Sequence, residues 1–165
     1  MTLHYDRFDS PIGELTVAGD AHGIAHILFP QNRHDAKGRE RWIHNPATVH
    51  DAREQLLAYL HGERTHFDLP LAPRGTPFQL RVWNALADIP FGQTWSYLQL
   101  ATLLGQPTAT RAVGAANGRN PLPIVLPCHR VIGRNGALTG FGGGLETKAA
   151  LLRLEQGDGA LFVRQ

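Results

Sequence analysis

The chain has one cysteine, Cys128, and it stands directly before two polar residues, His129 and Arg130, between two apolar runs. A core strand would carry aliphatic residues there, so the polar pair calls for an explanation. Cysteine attacks as a thiolate, and its proton must go to a nearby base or be displaced by a positive charge. Cys128 is therefore a candidate nucleophile with His129 as its base. The alternatives stay open: a lone cysteine is commonly a small buried hydrophobe, and His129 can simply bond to backbone.

The local backbone decides how the two side chains can meet. The apolar residues at 124–126 and 131–132 predict a buried extended segment around Cys128. In such a segment neighbouring side chains point to opposite faces, so a direct Cys128–His129 hydrogen bond is disfavoured. Proton relay through one water is the expectation, and the imidazolium that forms needs a third group to orient and stabilise it.

Composition excludes several other classes of site. One cysteine among 165 residues excludes an internal disulfide and a multi-cysteine zinc site, and the N-terminal histidines are scattered, so no metal and no cofactor are predicted. No apolar run approaches the roughly 20 residues that span a bilayer, and the first residues lack a signal-peptide pattern. We expect a soluble cytoplasmic protein without membrane contact. Residues 1–75 carry 8 Lys and Arg against 10 Asp and Glu, whereas residues 76–165 carry 8 against 4. This basic second half is consistent with a phosphate-facing surface, or with a solvated basic face.

The first half of the chain predicts a small sheet and one helix. Residues 3–8, 15–17 and 24–29 are strand-like and are separated by turn residues, and residues 31–41 are polar and predict a loop. Asn45 and Pro46 have the residue types of an N-cap and a first helical position, and an apolar stripe at helical spacing follows up to a stop at Gly62. Residues 63–75, rich in proline, then predict a linker.

The second half predicts short helices. Thr76 and Pro77 begin one helix, Ser96 caps a second that Gly105 ends, and Thr108 caps a third running to about residue 117. Two short helices joined by a glycine-containing turn form the helix-turn-helix pattern. A last helix is predicted over residues 145–156. The predicted fold class is α+β, with a small antiparallel-sheet domain over residues 1–72 and a mainly α, helix-turn-helix domain over residues 73–165.

Several motifs of the second half occur together and in order. They are residues 89–90, 96–97, 111–114, 120–121, 127–131 and 143–145. Together they resemble the O6-alkylguanine-DNA alkyltransferase family, over about half of the chain from residue 75 to residue 155. The first half is similar to the family's smaller domain more loosely, most clearly over residues 10–13.

The resemblance implies a role for each matched residue of the reaction centre. Cys128 would accept the alkyl group, His129 would be its base through a water, and Glu155 would orient His129. Asn120 would brace the segment before Cys128. Taken without the family, Glu155 reads as a surface helix glutamate and Asn120 as a turn residue before proline.

The resemblance also implies contacts with double-stranded DNA through the minor groove. Arg111 would enter the base stack in place of a flipped-out guanine, and Tyr97 would help to rotate that nucleotide and contact the base. Ala112 and Gly114, being small, would let the helix approach DNA, although small residues equally permit helix packing. Ser96 and Arg130 complete the expected DNA and substrate contacts. Extrusion is required because a thiolate cannot approach a methylated oxygen in line inside a duplex.

The glycine-rich loop at residues 140–144 departs from the family's commonest pattern. Phe141 stands where many members have tyrosine, and Gly142 where some have serine, so two hydroxyl groups are missing. We expect a roomier, less polar alkyl pocket that accepts groups larger than methyl. Lys148, which follows the loop, is assigned to DNA phosphate or to the pocket, with a solvated helix lysine as the alternative.

The implied activity is direct-reversal DNA repair. An alkyl group passes from O6 of guanine, and also from O4 of thymine, to Cys128 of a monomer that acts once. The principal alternative is a non-catalytic protein that binds alkylguanine lesions. A helix-turn-helix regulator is disfavoured by the small second helix and the lack of a dimerisation segment, and a cysteine hydrolase by the lack of an oxyanion-hole signature.

Overall fold

The computed structural model describes residues 2–136, 138 and 140–158. Its first half is a four-stranded sheet with one helix, and its second half is mainly helical, so the predicted α+β class is confirmed. The elements of the first half are β1 (His4–Phe8), β2 (Leu15–Asp20), β3 (Gly23–Leu28), β4 (Ile43–His44) and α1 (His50–Leu60). Those of the second half are α2 (Pro77–Leu86), β5 (Trp95–Ser96), α3 (Tyr97–Leu103), α4 (Thr110–Gly118), β6 (Val131–Ile132) and α5 (Leu145–Arg153).

The N-terminal sheet has the strand order β3-β2-β1-β4. The three predicted strands are present, and they pair antiparallel. The prediction missed β4, which follows the polar loop and pairs parallel with β1 through Ile43 and His44. Both β4 residues are exposed, so the strand has no alternation of buried and exposed side chains that would signal it.

Helix α1 packs a stripe of apolar residues into the core, as predicted. Val49, Ala52, Leu56 and Leu60 are all buried. Asn45 and Pro46 occupy the N-cap and first positions as predicted, but of a 3-10 turn (Pro46–Val49) that precedes the α-helix at His50, and the Asn45 side chain makes no capping hydrogen bond. The Asn45 amide bonds instead to the His4 ring at 2.9 Å, which ties this turn to β1.

The two halves share one hydrophobic core, and the linker is pinned to the sheet. Ile24 donates its N–H to Pro70 and accepts from Ala72, so the linker runs beside β3. Two backbone hydrogen bonds then join the halves directly: Ile27 N–H to the Pro121 carbonyl at 2.9 Å, and Arg33 N–H to the Gly142 carbonyl at 3.0 Å. The division at residue 72 stays a prediction.

The helix-turn-helix consists of α3 and α4. Thr76 and Ser96 each form a complete capping box, so both predicted caps are confirmed. Thr108 is not a cap, since α4 begins at Thr110 after Ala109 and no side chain caps it. Strand β5 precedes α3 directly and pairs parallel with β6, through Trp95–Val131 and Ser96–Ile132. This short pairing, which the sequence did not predict, joins the helix-turn-helix to the segment that carries Cys128.

The predicted extended segment before Cys128 is wrong. Residues 123–125 form a turn after a bend at residues 121–122, and Ile124 has a φ of 76°, which a β-branched residue adopts only when its surroundings force it. Cys128–Arg130 is a 3-10 turn. Within the described ranges, no helix has both the length and the apolar character needed to cross a membrane.

Candidate active site

Cys128 is held at the start of its 3-10 turn by side-chain amides. Asn120 spans the preceding turn, donating to the Leu126 carbonyl at 2.7 Å and accepting from the Leu122 N–H at 2.9 Å. Asn117, at the end of α4, donates to the Cys128 carbonyl at 3.4 Å. Asn120 therefore braces the segment before Cys128 as the resemblance implied, and Asn117 is a brace that sequence reasoning missed.

The 3-10 turn points His129 into the protein. The imidazole is fully buried, and its Nε2 lies 2.8 Å from Oε2 of Glu155. Since an ionised carboxylate only accepts, Nε2 carries the proton and Nδ1 is left as an acceptor. Nδ1 is buried and has no hydrogen-bond partner among the described residues. An imidazole in this state can take a proton at Nδ1 while Glu155 holds the other nitrogen.

Glu155 lies 26 residues after His129, in a π-helical turn (Leu154–Asp158) that continues α5. It is 5% exposed, so the surface-glutamate interpretation is wrong. Arg130 binds its carboxylate with two nitrogens, Nε to Oε1 at 2.8 Å and Nη2 to Oε2 at 2.9 Å. The Tyr59 hydroxyl of α1 also donates to Oε2. The carboxylate is thus buried but fully partnered, which is the condition under which a protein tolerates an internal charge.

Arg130 has a different place from the one expected. Its guanidinium is buried, donates to the Ile89 carbonyl at 2.7 Å in addition to Glu155, and lies over the Phe91 ring. The expected DNA or substrate contact at Arg130 is therefore wrong for this structure. The residues next to Arg130 in the sequence do not indicate that its side chain is buried, because its partner Glu155 is distant in sequence.

Burial and neighbouring charges set the protonation states of Glu155 and His129. Burial raises the pKa of Glu155, but hydrogen bonds and charges from His129 and Arg130 outweigh it and lower that pKa to about 2. Burial lowers the pKa of His129 despite the opposing effect of Glu155. At neutral pH, an ionised Glu155 therefore faces a neutral His129, which is the form that acts as a base.

Cys128 itself rests as a thiol. Burial raises its pKa to about 11, against the lowering effects of the Asn120 side chain, the charge of Lys148 and nearby backbone amides. A thiol in this state reacts only if a base removes its proton during the attack. Nδ1 of the neutral His129, in the same turn, is the candidate for this base.

Lys148 is a fully buried residue of α5, and its ammonium donates to the Val131 carbonyl at 2.6 Å. Burial lowers its pKa to about 8. The alternatives of a DNA phosphate contact and a solvated helix lysine are therefore wrong. Lys148 is not among the residues that line the cavity at Cys128, so its assignment to the pocket stays a prediction.

A cavity of about 310 Å³ reaches Cys128 from between the two halves of the chain. Phe141, Gly142 and Asn120 line it on one side, and Phe29 and Asn32 of the N-terminal half line it on the other. The Phe29 and Phe141 rings lie 5.5 Å apart, tilted by 56°. A Cβ at Gly143 would lie 2.5 Å from the Phe29 ring, so glycine is required there. The glycine-rich loop thus borders the cavity as expected, but the N-terminal half supplies the opposite wall.

The helix-turn-helix residues lie outside this buried cluster. Arg111 and Ala112 are exposed on α4. Tyr97 is half-buried, and its ring lies 3.6 Å from where a Cβ on Gly114 would be, which is an ordinary van der Waals distance, so the contact itself does not require glycine. Ser96 accepts the Gln99 N–H at 3.1 Å as the helix cap, and its expected DNA contact stays a prediction.

No metal-binding group appears in the described part of the chain. Among those residues, no three His, Cys, Asp or Glu side chains cluster closely enough to hold an ion. The expectation of no metal and no cofactor stays a prediction.

Two family models match the chain. Residues 3–73 match the ribonuclease-like domain of 6-O-methylguanine DNA methyltransferase, and residues 77–157 match its DNA binding domain. The methylated-DNA–protein-cysteine methyltransferase of Methanosarcina acetivorans is 47% identical over 93% of this chain and 98% of its own length. The protein of that name from Mycobacterium tuberculosis is 49% identical over 93% of each chain.

Solved structures give the same result. The crystal structure of Mycobacterium tuberculosis OGT in complex with DNA matches with a TM-score of 0.88 at 48% identity, covering 95% of this chain and 94% of that one. Together with the full-length relatives, this likeness extends over both halves. The chain belongs to the 6-O-methylguanine DNA methyltransferase family.

Proposed function

We propose that this protein repairs DNA by moving an alkyl group from O6 of guanine to Sγ of Cys128. The observation that carries the proposal is the arrangement around His129. One nitrogen is held by an ionised Glu155, the other is buried and has no partner among the residues that the structure describes, and the single cysteine precedes it in the same turn. Membership of the family and the relatives' name support the same reaction.

The reaction is an in-line displacement at the alkyl carbon. The Cys128 proton passes through a water to Nδ1 of His129, and the sulfur electron pair forms the S–C bond. The C–O6 bond breaks, its electron pair goes to guanine, and the base takes up a proton as it leaves. The product thioether does not hydrolyse readily, and the proposed reaction includes no step that restores the thiol. The protein therefore acts once per molecule.

Access to the alkyl group requires the damaged base to leave the helix stack. Arg111 and Ala112 are exposed on α4, which supports a contact with DNA from this helix. In the proposal α4 enters the minor groove, Arg111 fills the space of the extruded guanine and Tyr97 contacts the base. A solved relative was crystallised with DNA, which supports DNA as the partner. O4-alkylthymine as a second substrate, a monomeric state and a cytoplasmic location complete the proposal.

One experiment tests the reaction against its alternatives. The protein is incubated with a duplex containing O6-methylguanine, and its intact mass is measured. We expect a gain of one methyl group on Cys128, which Cys128→Ala abolishes and which an unmodified duplex does not produce. A lesion-binding protein or a regulator would bind the duplex without a mass change, and that result would refute the proposal.

The pocket can be tested separately. Phe141 lines the cavity without a hydroxyl group, and Gly142 leaves its side-chain space open. Phe141→Tyr should slow transfer of a benzyl group more than transfer of a methyl group, because it narrows and polarises the pocket. An equal effect on both rates would mean that Phe141 does not set the range of alkyl groups.

A further inference from the structure

Tyr59 is a buried residue of the N-terminal half that reaches the reaction centre. It lies on α1, is 1% exposed, and donates its hydroxyl to Oε2 of Glu155, 96 residues away. Its ring packs against Phe67 and, edge-on, against Phe91. Phe91 also lies under the Arg130 guanidinium, so one aromatic ring supports two of the donors to Glu155.

The donors to Glu155 are unevenly shared between its two oxygens. Oε1 accepts from Arg130 Nε alone, whereas Oε2 accepts from His129, Arg130 and Tyr59. The carboxylate has about four acceptor positions, two on each oxygen, so three donors crowd Oε2 while the single donor at Oε1 among the described residues leaves part of that oxygen's capacity unused. Three donors at Oε2 fix the rotation of the carboxylate. They also stabilise the negative charge of Glu155, which in turn orients His129.

A purely structural interpretation of Tyr59 is that a buried phenol needs an acceptor. Any backbone carbonyl would meet that need. The acceptor is instead the same oxygen that orients the candidate base. The contact therefore couples α1 to the geometry and to the charge of the relay.

We propose that Tyr59 is a positioning residue of the alkyl-transfer reaction, through which the N-terminal domain holds the Glu155 carboxylate against His129. This inference rests on the proposed function, since it assigns a role within that reaction. It also gives the N-terminal domain a part in the chemistry beyond support of the fold.

The direction of the effect follows from the groups that face each site. Glu155 faces His129, Arg130 and Tyr59, while His129 faces Glu155, Arg130 and Lys148. Burial and the charge of Glu155 raise the pKa of Tyr59, so its hydroxyl stays protonated and remains a donor. Removing this donor leaves the Glu155 anion less stabilised and a stronger acceptor for His129. The pKa of His129 then rises, and the acid limb of the rate profile moves to higher pH.

The test compares Tyr59→Phe with the wild-type protein. Single-turnover rates of methyl transfer from an O6-methylguanine duplex are measured between about pH 5.5 and 9, a range that spans histidine titration. We expect the rate at neutral pH to fall by about 10-fold to 150-fold, the range that corresponds to the loss of one hydrogen bond to a charged group. The acid limb of the rate profile should move to higher pH by about half a unit, because Glu155 loses the Tyr59 hydroxyl as a hydrogen-bond donor.

Tyr5→Phe is the matched control. Its hydroxyl accepts from the exposed Arg7 at 3.4 Å, on the N-terminal sheet, and the same atom is removed. Rate and pH profile should both equal those of the wild type. If Tyr59→Phe lowers only the melting temperature and leaves the rate and the acid limb unchanged, the proposal is overturned.

A second variant covers the case in which Tyr59→Phe does not fold. Site-specific 3-fluorotyrosine at position 59 retains the ring and makes the phenol a stronger donor, so the acid limb should move to lower pH. A profile identical to that of the wild type would also overturn the proposal. Failure of the proposed function gives a different result, because the wild-type protein itself would then gain no methyl group.

Discussion

The reaction centre and the helix-turn-helix face differ in how they treat charge. At the centre, His129, Arg130, Lys148 and Glu155 are all buried, and the charged groups are engaged by other protein groups. On α4, Arg111 is exposed beside small residues. The chemistry therefore sits in a pre-organised interior, where a hydrogen bond is strong and a lost partner is costly. The proposed DNA contact sits at the surface, where salt screens each charge and a substitution leaves the fold intact.

The largest effect on the buried centre should come from removing the negative charge of Glu155. Glu155→Gln leaves the Arg130 guanidinium buried without a counterion, so the free energy of unfolding should fall by about 3 to 5 kcal/mol. Methyl transfer should slow by about 100-fold or more, since the base loses its orienting group. Urea unfolding and single-turnover kinetics measure the two effects.

The matched control is Glu146→Gln, an exposed carboxylate in the first turn of the same helix. It should change stability by less than about 0.5 kcal/mol and leave the rate unaltered. Equal losses in both variants would mean that burial of Glu155 is not the cause.

Acid should weaken the same interior. The pKa of Glu155 lies at about 2 in the folded protein, against an ordinary value of 4.5. A lowered pKa contributes stability that is present above pH 4.5 and is lost as the pH falls toward 2. The loss should be about 3 kcal/mol.

Urea unfolding between pH 7 and pH 2 measures this dependence. Subtracting the curve of Glu155→Gln isolates the contribution of the carboxylate. A difference between the two proteins that stays constant over this range would contradict the lowered pKa.

At the surface, Arg111→Ala should weaken binding without weakening the fold. We expect the slope of log affinity against log salt to fall by about one if Arg111 also neutralises a phosphate, and stability to stay within about 0.5 kcal/mol. Transfer from a duplex should slow, whereas transfer from the free base O6-benzylguanine, which needs no extrusion, should not. Arg41→Ala, at an exposed arginine of the N-terminal half, should change neither.

The smallest effect should come from Ser96→Ala. Ser96 caps α3 as Thr76 caps α2, and each caps through the same box with a glutamine. Each alanine variant should lose about 1 kcal/mol of stability and retain its affinity for DNA. A loss of affinity in Ser96→Ala alone would restore Ser96 as a DNA contact.

Local patterns carried the sequence predictions that succeeded. The caps at Thr76 and Ser96, the apolar stripe of α1 and the turn at Gly105 each depend on residues within one or two helical turns. The predictions that failed involved partners distant in sequence or competition between local options. Thr108 has the residue type of a cap, but the chain starts α4 later, and the apolar residues 124–126 form a buried turn instead of a strand.

The sequence by itself determined the candidate nucleophile, the candidate base beside it and the paired short helices, because one cysteine, one adjacent histidine and the capping residues are readable in order along the chain. Only the tertiary structure decided that Glu155 orients His129, that Arg130 turns inward and that Tyr59 crosses from the other half. Spacing cannot reveal these contacts. They arise because α1, the Cys128 turn and the end of α5 pack into one core. The buried Glu155 carboxylate then accepts hydrogen bonds from the donors that this packing places beside it.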